Sequence, residues 1–91
     1  MSSVVHKLKT LPEYFELSWK RKKTYEVRKL DRPFHVGDKV LLEEYSPDFG
    51  YFGRAIMGNI VNIFVDPEYV KSGMGILQLD NMQNGYRGVS E

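Results

Sequence analysis

The sequence contains no cysteine, which excludes a disulfide framework, a zinc knuckle and a thiol nucleophile. It also lacks a long hydrophobic run: its apolar stretches are too short to span a membrane, and its first residues do not have the apolar centre of a signal peptide. With 91 residues the chain forms one small domain, so any binding site must be shallow or occupy a single groove. We therefore expect a monomeric cytoplasmic protein without a cofactor and without membrane contact.

Metal ligands and catalytic motifs are scarce as well. The only histidines are His6 and His35, and a metal site would need Asp or Glu at spacings that the sequence does not supply. No serine occupies a nucleophile elbow, and the glycines form no phosphate-binding loop. We expect no metal site and no catalytic residue, and we interpret both histidines as structural or groove-lining.

Positive charge is concentrated in one segment. Residues 19–32 contain seven of the 13 Lys and Arg against two acidic residues, whereas residues 33–91 contain four basic and eight acidic residues. Such a segment is either a solvated helix end or a place where cations contact phosphate groups. The net charge of +1 favours a local footprint on nucleic acid over broad coating of a duplex.

The sequence predicts an α+β fold with one N-terminal helix. Pro12 suits the first turn of a helix, and the basic residues that follow indicate that this helix ends near Arg21. Alternating apolar residues predict five strands, with Gly58 marking a bulge or bend in the fourth. Residues 1–80 form the domain, and residues 81–91, which are polar and without periodicity, are expected to be a flexible tail. The predicted strands are residues 4–9, 24–30, 39–45, 54–65 and 74–79, and the predicted core consists of Leu8, Phe15, Trp19, Val27, Val40, Leu42, Ile60, Ile63 and Leu77.

The second predicted strand carries the clearest pattern of side chains. Its alternation puts Tyr25 and Val27 on one face and Glu26 and Arg28 on the other. One interpretation is an ion pair that stabilises the fold. The other is recognition of a nucleobase, in which the carboxylate accepts from an exocyclic amine and the guanidinium donates to a carbonyl or phosphate.

The same strand carries a resemblance to a known family. Lys23-x-x-Glu26-x-Arg28 resembles the Gly-x-Lys-x-x-Glu-x-Arg signature of ASCH domains, a branch of the PUA-like superfamily of RNA-binding pseudobarrels, with Arg21 at the position of the glycine. The likeness extends over about residues 6–80 and is closest to a small ASCH-related group of bacterial and phage proteins of unassigned function. Further matching segments are His6-x-Leu8-Lys9-x-x-Pro12-Glu13-Tyr14-Phe15, Asp31-Arg32-x-Phe34-x-Val36-Gly37-Asp38 and Glu44-Tyr45-x-Pro47.

This resemblance implies a five- or six-stranded mixed pseudobarrel whose binding groove lies where the helix meets the second strand. It also implies an RNA-binding module that recognises single-stranded or structured RNA, or a modified nucleobase, with aromatic residues stacking on bases. The candidate nucleic-acid-binding residues are His6, Lys9, Arg21, Lys22, Lys23, Tyr25, Glu26, Arg28 and Tyr45.

Two alternatives stay open. Some small ASCH-like proteins are amidohydrolases that act on N4-acetylcytidine through a Lys-Thr-x-Thr-x-Arg motif, which here reads Lys23-Thr24-Tyr25-Glu26-Val27-Arg28. Glu26 occupies the position of the nucleophilic threonine and cannot replace an activated hydroxyl, so we expect no such enzyme activity. The second alternative is a phage or prophage protein that binds a host protein.

Overall fold

The computed structural model describes residues 4–87 of the chain. It contains one helix and five strands, and the number of strands agrees with the sequence-based prediction. No helix within this part of the chain is long and apolar enough to cross a membrane. In chain order the elements are β1 (Val5–Thr10), α1 (Pro12–Trp19), β2 (Tyr25–Lys29), β3 (Lys39–Ser46), β4 (Gly50–Phe64) and β5 (Met74–Tyr86).

The five strands form one mixed sheet in the order β1-β3-β4-β5-β2. The β1–β3 pair is parallel, and the other three neighbouring pairs are antiparallel. The sheet curls so far that side chains of its two edge strands meet: the Arg28 guanidinium on β2 reaches the Lys9 carbonyl on β1 at 3.0 Å. The fold is therefore an α+β half-barrel that side chains close along the β1–β2 seam.

The inner face of the half-barrel holds the apolar core, over which α1 packs through Phe15. Six of the predicted core residues are buried, and Trp19 and Ile63 pack against the core while partly exposed. The prediction for Val27 is wrong, because its side chain is 49% exposed while its neighbour Glu26 is buried. On β2 the polar face points inward. The buried core consists of Leu8, Phe15, Val40, Leu42, Ile56, Ile60, Leu77 and Leu79.

Helix α1 ends at Trp19, two residues before the predicted position, in a Schellman motif. The Lys22 N–H donates to the Leu17 carbonyl at 2.8 Å, and the Arg21 N–H donates to the Ser18 carbonyl at 3.0 Å. This motif requires a left-handed residue after the C-cap, and Arg21 adopts it with φ = 61°. Arg21 therefore carries a steric cost of roughly 1–2 kcal/mol that glycine would avoid at this position.

Arg54 fastens α1 to the sheet. Its guanidinium donates to both carboxylate oxygens of Glu44, at 2.9 and 3.1 Å, and to Glu16 of the helix at 2.8 Å. These hydrogen bonds raise the pKa of Arg54 further above its already high ordinary value. The same guanidinium lies 4.6 Å from the centre of the Trp19 ring, so the C-terminal end of the helix packs on a fixed cation.

The prediction of a flexible tail from residue 81 is wrong for residues 81–86. Strand β5 continues to Tyr86, because residues 83–86 pair with residues 54–57 of β4 through the backbone. The tail prediction for residues 88–91 lies outside the described residues. The bulge predicted at Gly58 is confirmed, since the β4–β5 register shifts between Met57 and Asn59.

Candidate functional site

A cleft of about 610 Å³ opens along the β1–β2 seam, between the end of β1, one face of α1 and β2. Its volume lies in the range of small-molecule sites in proteins, roughly 300–1,000 Å³. Charged and polar groups line one part of it, and apolar side chains from α1 and β2 form the walls. The polar lining consists of Lys9, Thr10, Lys23, Glu26 and Arg28, and the apolar lining consists of Leu11, Tyr14, Leu17, Tyr25 and Val27.

Glu26 is the most buried group of the cleft, with only 4% of its side chain exposed. Its Oε2 accepts a hydrogen bond from Lys23 Nζ at 2.6 Å. Its Oε1 accepts two from Arg28, from Nε at 3.1 Å and from Nη2 at 2.9 Å. An isolated buried carboxylate is strongly unfavourable, so the two cations are what allow Glu26 to lie inside the fold.

Arg28 also connects the two edges of the sheet. Besides Glu26, its Nη2 donates to the Lys9 carbonyl at 3.0 Å and to Thr10 Oγ1 at 3.1 Å. The Thr10 hydroxyl in turn donates to the Leu8 carbonyl at 3.3 Å. Arg28 therefore takes the place of backbone hydrogen bonds between β1 and β2, and the cleft lies beside this bridge.

Burial decides which of these groups can reach a ligand. The exposed fraction of the side chain is 23% for Arg28 and 11% for Lys23, compared with 4% for Glu26. Within residues 4–87 nothing accepts a hydrogen bond from Arg28 Nη1, and Lys23 Nζ uses two of its three N–H groups, on Glu26 and the Tyr25 carbonyl. The cleft therefore offers hydrogen-bond donors, and the carboxylate orients them. This geometry does not favour the expected role of Glu26 as an acceptor for an exocyclic amine.

Aromatic groups lie next to both lysines of the cleft. Lys23 Nζ is 5.1 Å from the centre of the Tyr25 ring, and that ring is substantially exposed. Lys9 Nζ is 4.5 Å from the centre of the Tyr45 ring. Lys9 lines the cleft, whereas Tyr45 lies just outside it.

Two basic residues of the predicted site lie outside the cleft. The Arg21 guanidinium is used within the fold, donating to the carbonyls of Ser18 and Trp19 and to the Met82 carbonyl and Asn84 Oδ1 of β5, at 2.7–3.2 Å. Lys22 is exposed beside it. The basic segment is thus divided: Arg21 joins α1 to β5, and Lys23 and Arg28 face the cleft.

His6 does not line the cleft either. It is buried, with Nε2 2.8 Å from Asp38 Oδ2 and its ring centre 4.5 Å from that of Phe34. Asp38 also accepts the backbone N–H of His35 at 3.0 Å. The hydrogen bond from His6, with that from His35, lowers the pKa of the Asp38 carboxyl against the opposing effect of its burial. This cluster anchors the loop before β3, so we assign His6 a structural role.

The apolar wall of the cleft was not predicted. Leu11, Tyr14 and Leu17 follow each other at intervals of three, so they form a second stripe of α1 beside the buried one through Phe15. The spacing of these three large side chains is the signal that the sequence offers for the wall. Leu11 is exposed, whereas Phe15 on the neighbouring stripe is fully buried.

Residues 5–79 match the model of a family described as a domain of unknown function, DUF3850. The chain belongs to this family. No curated protein matches the sequence. All residues that line the cleft fall inside the DUF3850 match.

Within the described residues no three His, Cys, Asp or Glu side chains lie close enough together to hold a metal ion.

Proposed function

We propose that this protein binds RNA in the cytoplasm as a monomer, holding an unpaired base in the cleft beside β2. The observation that carries the proposal is the pair of partly exposed donors, Lys23 and Arg28, oriented by the buried carboxylate of Glu26 at the base of an aromatic-walled cleft. We further propose that the half-barrel is a PUA-like pseudobarrel of the ASCH type, consistent with the Lys23-x-x-Glu26-x-Arg28 resemblance.

The chemistry of the walls and the floor suits a nucleobase. A base has a flat face that packs on Tyr14 or Tyr25, and each stacking contact of this kind contributes about 1–3 kcal/mol. Its edge carries carbonyl oxygens or ring nitrogens that accept from ammonium and guanidinium groups. Because the cleft offers donors and shields its carboxylate, it favours a base edge rich in acceptors. Uracil, with two carbonyls, fits better than a base whose edge presents an amine.

Two observations favour RNA binding over hydrolysis of an acylated cytidine. Glu26 is buried between two cations where that reaction needs a hydroxyl nucleophile. Thr24, the other threonine of the motif, is exposed and does not line the cleft. We therefore expect no deacetylation of N4-acetylcytidine above background by the natural protein.

Titration of labelled single-stranded RNA pools, followed by fluorescence anisotropy, tests the proposal. If the three cations of the cleft neutralise one to three phosphates, affinity falls roughly 3- to 20-fold between about 50 and 200 mM salt. Absence of binding at the lower salt concentration would remove the proposal and favour a protein partner instead.

Two adjacent lysines provide a matched comparison. Lys23→Met removes a cation that faces the cleft and should weaken RNA binding by about 10-fold or more, the value of a charged hydrogen bond. Lys22→Met removes the same charge from the exposed neighbour outside the cleft and should change affinity by about twofold or less, as expected for a rim charge. Equal losses for the two variants would indicate nonspecific attraction without use of the cleft. Thermal unfolding of both variants verifies that they are folded.

A further inference from the structure

A row of side chains in contact with one another continues from the cleft along the β3–β4 hairpin. Lys9, which lines the cleft, lies over the Tyr45 ring at 4.5 Å. The Tyr45 and Tyr51 rings meet edge to face with their centres 5.0 Å apart. The Arg87 guanidinium lies 3.5 Å from the centre of the Tyr51 ring. We call Tyr45, Tyr51 and Arg87 the aromatic row.

The aromatic row occupies one face of the hairpin. Tyr45 and Tyr51 are register partners on β3 and β4, so their side chains lie on the same face. Phe52, the next residue of β4, points to the opposite face, where it stacks on Phe49 with ring centres 4.5 Å apart. The hairpin therefore carries two aromatic pairs, in which Tyr45 is half-buried and Tyr51, Phe49 and Phe52 are exposed. The contact with Lys9 connects the tyrosine pair to the cleft.

The two arginines near the row are paired with carboxylates, whereas Lys9 at its start is not paired within residues 4–87. Glu43 is paired with Arg87 at 2.8 Å, and Glu44 is paired with Arg54 at 2.9 Å. No carboxylate within residues 4–87 lies within 4.0 Å of Lys9 Nζ, which leaves its charge available at the junction between the cleft and the row. An ammonium at this position, between two places where bases can stack, suits the phosphate that joins two nucleotides.

We propose that the aromatic row is a second nucleotide subsite, on which the base next to the one in the cleft packs, with Lys9 contacting the phosphate between them. This proposal rests on the proposed function, because it takes RNA as the ligand of the cleft. It adds a path for the RNA strand, which runs from the β1–β2 seam across Lys9 towards the tip of the β3–β4 hairpin. Bases stack on both aromatic rings and guanidinium planes, and the row presents both.

Binding of two probes of different length tests the subsite. Uridine 5′-monophosphate fills the cleft alone, whereas a pentauridylate reaches both the cleft and the row. We expect the natural protein to bind the pentauridylate more tightly. Tyr51→Leu, which keeps an apolar side chain but removes the ring, should weaken pentauridylate binding about 5- to 150-fold, the equivalent of one lost base stack. The same variant should leave uridine monophosphate binding unchanged within about twofold, because Tyr51 does not line the cleft.

Two further variants control this experiment. Phe52→Leu removes an exposed ring from the opposite face of the same hairpin and should leave both affinities unchanged. Tyr51→Phe retains the ring and should bind the pentauridylate like the natural protein. Unchanged binding of uridine monophosphate by Tyr51→Leu excludes misfolding as the cause of its loss. Equal affinity of the natural protein for the two probes, or an equal loss in Tyr51→Leu and Phe52→Leu, would overturn the second subsite and leave the cleft proposal intact. If neither probe binds, or if Lys23→Met does not weaken the binding, the cleft proposal itself is removed.

Discussion

Replacement of Glu26 by glutamine tests the electrostatic basis of the cleft. The carboxylate is almost fully buried and accepts three hydrogen bonds, one from Lys23 and two from Arg28. Glutamine preserves the shape but removes the negative charge, so two largely buried cations face each other across a neutral amide. Removal of one partner from a buried ion pair costs about 3–5 kcal/mol. Because Arg28 is 23% exposed and keeps its bonds to β1, we expect the lower end of that range, about 3 kcal/mol.

The measurement is equilibrium unfolding by urea, supported by thermal unfolding. For a domain of this size a loss of about 3 kcal/mol lowers the midpoint temperature by about 12–24 °C. Glu68→Gln is the matched control, since it removes the same charge from an exposed loop residue and should change the free energy of unfolding by less than about 0.5 kcal/mol. If Glu26→Gln also changed the free energy of unfolding by less than about 0.5 kcal/mol, the conclusion that the carboxylate supports the cleft would be refuted.

A second variant separates stability from binding. Glu26→Leu combined with Lys23→Met replaces one buried ion pair by apolar groups of similar volume, which is often neutral or stabilising. We expect this double variant to be more stable than Glu26→Gln, because one of the two uncompensated cations is gone. It should nevertheless lose RNA binding, because the cleft then keeps only one of its two oriented donors.

Three further predictions concern the scaffold. Arg21→Gly and Arg21→Ala both remove the guanidinium bonds to β5, but only glycine relieves the left-handed backbone, so urea unfolding should find the glycine variant more stable by about 1 kcal/mol. Ser18→Ala should not destabilise the protein, because the buried Ser18 hydroxyl has no hydrogen-bond partner in the described chain; a loss above about 1 kcal/mol would reveal a partner. The pKa of Asp38 is lowered in the folded state by the hydrogen bond from His6, so its stabilising contribution is complete above the unfolded pKa of 3.8 and is lost as pH falls through the lower folded pKa. Asp38→Asn should therefore flatten the acid side of the stability profile, and an unchanged profile would contradict the assignment.

The alternation of β2 was sufficient to predict which residues share a face, but not which face points inward. Tyr25 and Val27 do lie opposite Glu26 and Arg28, as the period of two requires. Because Val27 is hydrophobic, it was assigned to the core. In the structure Val27 is an exposed residue of the cleft wall and Glu26 is buried. The two cations that neutralise Glu26 are its own neighbours in sequence, Lys23 and Arg28. The direction in which this polar face points depends on the tertiary structure, in which Arg28 reaches Lys9 and Thr10 of β1.

The extension of β5 could not be predicted for a related reason. Residues 81–86 lack an apolar period because they form an edge of the half-barrel where little is buried, and their strand conformation comes from backbone pairing with β4. The role of the Arg21 side chain could not be predicted either. Its backbone conformation follows from its place after the helix, but the use of its guanidinium depends on Met82 and Asn84, more than 60 residues away in the chain.

The scaffold and the candidate site share one group, the Arg28 guanidinium. The sheet order leaves β1 and β2 as unpaired edges, and exposed edges of this kind invite pairing with other chains unless they are covered. Arg28 closes the seam through side-chain bonds to Lys9 and Thr10, and side-chain closure leaves a cleft that backbone pairing would have eliminated. An ion pair that stabilises the fold and a donor that reads a ligand are therefore not competing interpretations of Arg28. Three contacts hold its Nη2 in place, and within residues 4–87 Nη1 makes no hydrogen bond, so the guanidinium that closes the seam keeps donors for a ligand.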